Sequence, residues 1–364
     1  MIRVTARLRR NPEHAMKSLP KIELHLHLDG ALRTETIMDL AREQNHELPA
    51  VTPEGLERYV HVSPECRSLT EYLAVFNIYY DLLKKPAALE RIAGELCEDL
   101  ARDGVVYAET RFAPVLNIHS EEQVQGRSRE AMEERVRAVL RGLARGTRSG
   151  GTPAGLILCC YRGFDVRFAV ETVEIARDLN REAKANGQDP LIAGVDLAGD
   201  ESRWPAEAFR PAFELAMDAG IPRTVHAGEA AGADSVRAAL EILGANRIGH
   251  GVRLKEDPEL LERVREERIP LEVCLTSNLQ TSTVPSLEAH PFGEYLRGGL
   301  RVTINTDNTG VSNIDLDHEW DIAREAYGLT QEEERAILTH SAEAAFTTDE
   351  TRAGLHRRIE EYFQ

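Results

Sequence analysis

The sequence predicts an α/β fold of the eightfold barrel class, (β/α)8, with extra helices. Three observations lead there. Eight short β-rich runs recur along the chain, separated by helix-like segments, and that alternation implies a parallel sheet. The length of 364 residues lies within the range of one such barrel with insertions. The unusual polar residues fall at the C-terminal ends of several different runs, where barrels build their sites. A doubly wound open sheet is the competing arrangement, and it accounts less well for that placement.

The runs are IELHLHL (22–28), VVYAETRF (105–112), GLILCCY (155–161), LIAGVDLA (191–198), RTVHAG (223–228), RIGHG (247–251), LEVCLTS (271–277) and RVTINTD (301–307). In the first, Ile22, Leu24, Leu26 and Leu28 alternate with Glu23, His25 and His27. A strand sends alternate side chains to opposite faces, so one face is apolar and the other carries two imidazoles. Between the runs lie helix signals. PAEAFRPAFELAMDAG opens at Pro205 and stops at Gly220, with Phe209, Phe213 and Met217 on its apolar side and a kink expected at Pro211. SVRAALEILG reads as a helix capped by Ser235 and stopped at Gly244. Residues 53–103 and 310–364 also look helical. Residues 1–20 read as an N-terminal arm, and 21–364 as one catalytic domain.

Composition narrows the partners. Hydrophobic content of 42% and charged content of 29% suit a globular protein with a full core. A net charge of −17 argues against a nucleic-acid or anionic-membrane surface. Five cysteines, with no C-x-x-C spacing, speak against a disulfide framework or a cysteine-rich zinc site. Cys159 and Cys160 read as core filling. The basic start lacks an apolar h-region and no apolar run reaches about 18 residues, so a cytoplasmic enzyme is expected. Oligomeric state is left open.

Two imidazoles inside a barrel need a shared partner, since each desolvated polar group otherwise costs about 1–3 kcal/mol. A divalent metal is such a partner. His226 ends the fifth run and His250 the sixth, while Asp307 ends the eighth, on one face with Thr303 and Asn305. Three histidines and an aspartate form a nitrogen–oxygen site suited to zinc, with a position left for water. Ser277 and Asn278, ending the seventh run, are placed to shape the pocket mouth or support the site. The remaining histidines (14, 46, 61, 119, 290, 318, 340 and 356) read as surface or capping residues.

The motifs HLHLDGA (25–31), DLAGDE (196–201), TVHAGEAAG (224–232), RIGHGV (247–252), CLTSNLQT (274–281) and NTDN (305–308) together resemble the adenosine deaminase family of the amidohydrolase superfamily, over nearly the whole chain. The resemblance implies a metal-dependent amidohydrolase barrel with one Zn2+ per subunit, held by His25, His27, His226 and Asp307. It implies Glu229 as the acid that protonates purine N1, and His250 as the group that orients or deprotonates the attacking water. Gly199 corresponds to the backbone N–H donor to N3, and Asp29 to the ribose 5′-hydroxyl contact. Leu69, Tyr72, Leu73 and Phe76 correspond to a hydrophobic lid over the ribose side, although the same spacing serves ordinary core packing. The implied reaction converts adenosine, and 2′-deoxyadenosine, to inosine and ammonia.

Chemistry gives these residue types independent sense. Attack at C6 breaks aromaticity, which becomes tolerable when N1 takes a proton, and that needs a carboxyl kept protonated by burial. The fourth run has no lysine to bridge two metals, so one metal is expected. No P-C-x-x-C occurs, which sets the chain apart from cytidine-type zinc deaminases. One position departs from the family pattern. Where its members often carry a second aspartate, this chain has Asn308, whose amide donates N–H to purine N7 at any pH; the alternative is that Asn308 only caps a turn. Another 6-aminopurine or a modified adenine nucleoside is the alternative substrate, but HLHLDG rather than HLHLEG favours adenosine. A hydrolase of esters would have no use for Glu229, and a non-catalytic binder none for zinc, Glu229 and His250 together.

Overall fold

The computed structural model describes residues 18–364; most of the N-terminal arm expected over 1–20 lies outside them. All eight runs form strands: β1 (Lys21–His27), β2 (Val105–Phe112), β3 (Ala154–Tyr161), β4 (Gly194–Ala198), β5 (Thr224–Ala227), β6 (Arg247–His250), β7 (Leu271–Val273) and β8 (Val302–Ile304). They pair in parallel and in sequence order as β1-β2-β3-β4 and β5-β6-β7-β8. Two bridges, Val195 with Arg223 and Leu26 with Asp307, join the halves. At the second, the His27 amide donates to the Asp307 carbonyl (2.7 Å) and the Asp307 amide to the His25 carbonyl (2.8 Å). The sheet therefore closes, and the open doubly wound arrangement is excluded.

Helices surround the strands. Pro86–Arg102, Ser128–Arg148, Val166–Ala185, Arg210–Asp218, Ala233–Glu241, Pro258–Glu266 and Phe292–Arg297 each precede a strand, and Gln331–Ala344 follows the last. Their buried faces are apolar: Ile92, Leu96, Val136, Val139, Val173 and Leu179 are all at most 3% exposed. Burying such side chains yields about 1.5–3 kcal/mol each. Among the described residues no helix is long and apolar enough to cross a membrane.

Five local expectations change. Residues Leu275–Gln280 are helical, so β7 ends at Val273 and Ser277 and Asn278 project from a helix. β4 starts at Gly194 rather than at residue 191. Pro211 does not kink a helix; it occupies the first turn of Arg210–Asp218, where its missing N–H costs nothing, and a 3-10 turn (Ala206–Phe209) precedes it. Met217 is 38% exposed, unlike Phe209 and Phe213. Ser235 is not a cap: Gly232 holds that position in the helix Ala233–Glu241, and the Ser235 hydroxyl bonds Glu201 instead.

Candidate active site

β1 points His25 and His27 into the barrel mouth, β5 adds His226, and the turn after β8 adds Asp307. Their donor atoms lie within 4.8 Å of one another. His226 Nε2 is 3.0 Å from His25 Nε2 and 3.3 Å from His27 Nε2. Asp307 Oδ1 is 3.5 and 3.4 Å from the same two nitrogens. Four donors about 2.0–2.1 Å from a common zinc stand roughly 3.3 Å apart at tetrahedral angles, so the spacing fits such an ion. Asp307 and His250 both adopt left-handed backbone, φ 64° each. Few side chains tolerate that conformation, and its presence at two pocket residues is typical of functional sites.

A buried ionic layer supports these four residues. His25 Nδ1 meets Glu272 Oε2 at 2.7 Å, and His226 Nδ1 meets Asp196 at 3.0 Å. The Arg111 guanidinium joins both carboxylates, donating to Asp196 and to Glu272 at 3.0 Å each. Arg247 pairs with Glu272 (2.6 Å) and Glu109 (2.7 Å). Ser277 donates to Asp307 Oδ2 at 2.6 Å. Carboxylates that hold the second ring nitrogen fix a ligand histidine's tautomer and orientation. The Asp307 carboxyl lies far below the usual range: burial opposes this, but His25 and the other imidazoles outweigh it.

Beside this four-donor group lies Glu229, 4% exposed. Burial, reinforced by the charges of Asp307 and Glu201, pushes its carboxyl up to about 8. Its Oε2 is 3.6 Å from His250 Nε2. Glu201 holds the loop that carries it, accepting the amides of Gly228, Glu229, Ala230 and Ala231 at 2.7–3.0 Å. Burial also lifts Asp29 to about 7; Tyr80 donates to it at 3.4 Å, and its other oxygen is buried without a partner.

His27, His226, Asp307, Glu229, His250, Asp29 and Tyr80 line one cleft of about 520 Å³, together with Gly199, Asn308, Leu69, Tyr72, Leu73 and Phe76, and His25 is wholly buried against His226. The structure thus brings every site residue expected from the sequence to one place. Tyr72 is tied down by its hydroxyl bond to Ser312 (2.8 Å), and Phe76 stacks on Tyr80 at 5.5 Å. Gly199 has φ +100°, which a side chain would strain. Asn308 precedes the helix Thr309–Ser312, but its side chain makes no capping bond. It packs over Gly30, where any Cβ would collide with it, and its Oδ1 is buried without a partner. Cys159 is core, as expected, and also touches the cleft.

Sequence reading assigned nothing to Arg111, Asp196, Glu201, Glu272 or Tyr80. Asp196 and Glu201 lay inside DLAGDE, and charged residues within fully buried strand segments were the available signal for Arg111, beside Glu109 in VVYAETRF, and for Glu272. His290 is a correction. Read as surface or capping, it is not at the surface, being 4% exposed and bonded to Asn278 Oδ1 at 3.1 Å, though its Nδ1 does accept the first amide of the helix Phe292–Arg297.

A closed parallel barrel with three imidazoles and a carboxylate converging at its C-terminal mouth defines a hydrolase of the metal-dependent amidohydrolase type. The sequence profile of one family in that class, adenosine deaminase, matches residues 20–362. An adenosine deaminase of Clostridium botulinum (strain 657 / Type Ba4) is 39% identical over 344 residues, covering 94% of this chain and 99% of the relative. Among solved structures, adenine deaminase from Arthrobacter aurescens superposes with TM-score 0.82 at 28% identity, covering 95% and 99% of the two chains. An amidohydrolase from Burkholderia ambifaria with bound zinc gives 0.81 at 27%, covering 94% and 91%. The chain belongs to the adenosine deaminase family.

Proposed function

We propose that this enzyme hydrolyses adenosine and 2′-deoxyadenosine to inosine and ammonia, using one zinc ion held by His25, His27, His226 and Asp307. The observation that carries the reading is Glu229, a buried carboxyl pushed up to about 8, set beside a four-donor site with zinc spacing. A zinc ion held there would lower the pKa of a water to about 7 and so make hydroxide available at neutral pH. Glu229 then donates its proton to purine N1 as C6 is attacked, and takes up the negative charge that the ring nitrogen gives away. His250, 3.6 Å from Glu229, orients the attacking water. The Gly199 amide faces N3, and Asn308, whose amide has no capping duty, turns its N–H toward N7. Leu69, Tyr72, Leu73 and Phe76 close over the sugar and exclude water.

Asp29 and the cleft's charge balance favour a nucleoside over a nucleotide. Among the described residues, those lining the cleft include no lysine or arginine, so a 5′-phosphate would meet the unpartnered Asp29 oxygen without a countercharge from them. Free adenine would leave that oxygen and the apolar lid unused.

The test is loss of the adenine absorbance band with zinc-loaded protein, run in parallel on adenosine, 2′-deoxyadenosine, adenine and AMP, with a chelated control. Fast, chelator-sensitive loss on the two nucleosides alone is expected. Silence on all four with zinc bound, or preference for AMP, contradicts the substrate assignment.

A further inference from the structure

Behind His250 runs a chain of hydrogen bonds that ends on the backbone. The Phe292 amide, at the start of the helix Phe292–Arg297, donates to His290 Nδ1 (3.1 Å). His290 Nε2 meets Asn278 Oδ1 (3.1 Å), and Asn278 Nδ2 meets His250 Nδ1 (3.1 Å). His290, Asn278 and His250 are 4%, 0% and 1% exposed, so no solvent competes for these groups.

The direction of every bond follows from its last link. A backbone N–H only donates, so His290 Nδ1 must accept. Neutral His290 then carries its proton on Nε2 and donates it to the Asn278 carbonyl. The Asn278 amide, with its oxygen so engaged, presents N–H to His250 Nδ1, which must accept in turn. That leaves the His250 proton on Nε2, the nitrogen that faces Glu229 and the cleft. Burial favours the neutral form of His290, pushing it down to about 3, and the Asn278 N–H aimed at His250 Nδ1 leaves no room for a proton on that nitrogen.

We propose that His290 and Asn278 are positioning residues that relay the Phe292 amide to His250 and hold its proton on Nε2, so that His250 meets the attacking water as a hydrogen-bond donor. In that tautomer Nε2 has no lone pair with which to accept the water's proton, and the alternative role of His250 as base is closed. This inference rests on the proposed function only in placing the attacking water beside His250.

The direct measurement is nitrogen-15 NMR of histidine-labelled, zinc-loaded protein, which separates protonated from unprotonated ring nitrogens and needs no substrate. The wild type is expected to show His250 protonated at Nε2 and bare at Nδ1. The reverse pattern overturns the proposal whatever the enzyme acts on, whereas absence of deaminase activity with the expected pattern leaves the relay standing and rejects only the proposed function. Asn278→Asp then tests the consequence. Its carboxylate is nearly isosteric but only accepts, so His250 is forced to protonate at Nδ1. The expected result is a tautomer switch in the spectrum and kcat lowered at least about 100-fold, as befits a misset histidine tautomer, with KM moved less than threefold and zinc retained. His290→Gln, which keeps a side-chain N–H donor for Asn278, is expected to restore much of what His290→Phe removes. Equal losses in those two variants, or a tautomer switch without loss of kcat, would overturn the relay.

Discussion

At the floor of the cleft, Arg111, Asp196, Glu272 and His25 are wholly buried and hold one another through ion pairs at 2.7–3.0 Å. Over the side proposed to take the sugar, residues 69–84 form a six-residue helix and two short 3-10 turns, with Leu69 and Leu73 only half-buried. The contrast follows from the work proposed for each region. Groups that hold a metal and a proton must keep position, and a buried charge stays in place only when each partner is itself held. For Leu69 and Leu73 the proposed work of admitting and releasing a substrate needs apolar area and freedom to move, which half-buried side chains on short helical turns allow, while Tyr72 beside them stays tied to Ser312.

The comparison can be broken from either side. A change of pH acts on the floor and has the larger effect. Glu229 carries its proton below about 8 and loses it above, and the anion has nothing to donate. The value kcat/KM for adenosine is therefore expected to fall tenfold per pH unit above that point, read from initial rates between pH 6 and 10. A plateau to pH 10 would remove Glu229 from the acid role. A change in the lid has a smaller effect. Leu73→Ala deletes part of a half-buried contact, so KM is expected to rise about fivefold, equivalent to roughly 1 kcal/mol of lost burial, with kcat within twofold. A large drop in kcat would mean that the lid also orders the floor.

The sequence made the floor's inner layer and the barrel legible because both leave short-range marks. Alternation in IELHLHL put His25 and His27 on one face, and punctuation between runs located all eight strands. Position at the strand ends brought in His226, His250 and Asp307. What stayed hidden depends on distance along the chain. Arg111 finds Asp196 and Glu272 at 85 and 161 residues' separation, and no local pattern reports such a pairing. His290 looked peripheral because its partners, Asn278 and Phe292, lie on two short helices that the sequence pattern did not resolve. CLTS has the composition of a strand, yet Leu275–Gln280 turns helical where Glu319 accepts the Leu275 and Thr276 amides. The lid residues were found through family resemblance, since their spacing alone equally describes core.

The central claim is that a buried, protonated Glu229 drives deamination at a zinc site. It is tested most directly by Glu229→Gln, with turnover of adenosine, binding of a non-hydrolysable purine nucleoside and zinc content measured on the same preparation. The account predicts zinc and nucleoside binding near wild type, with kcat lower by about a thousandfold or more. Turnover within tenfold of wild type, with zinc and ligand bound, would contradict it.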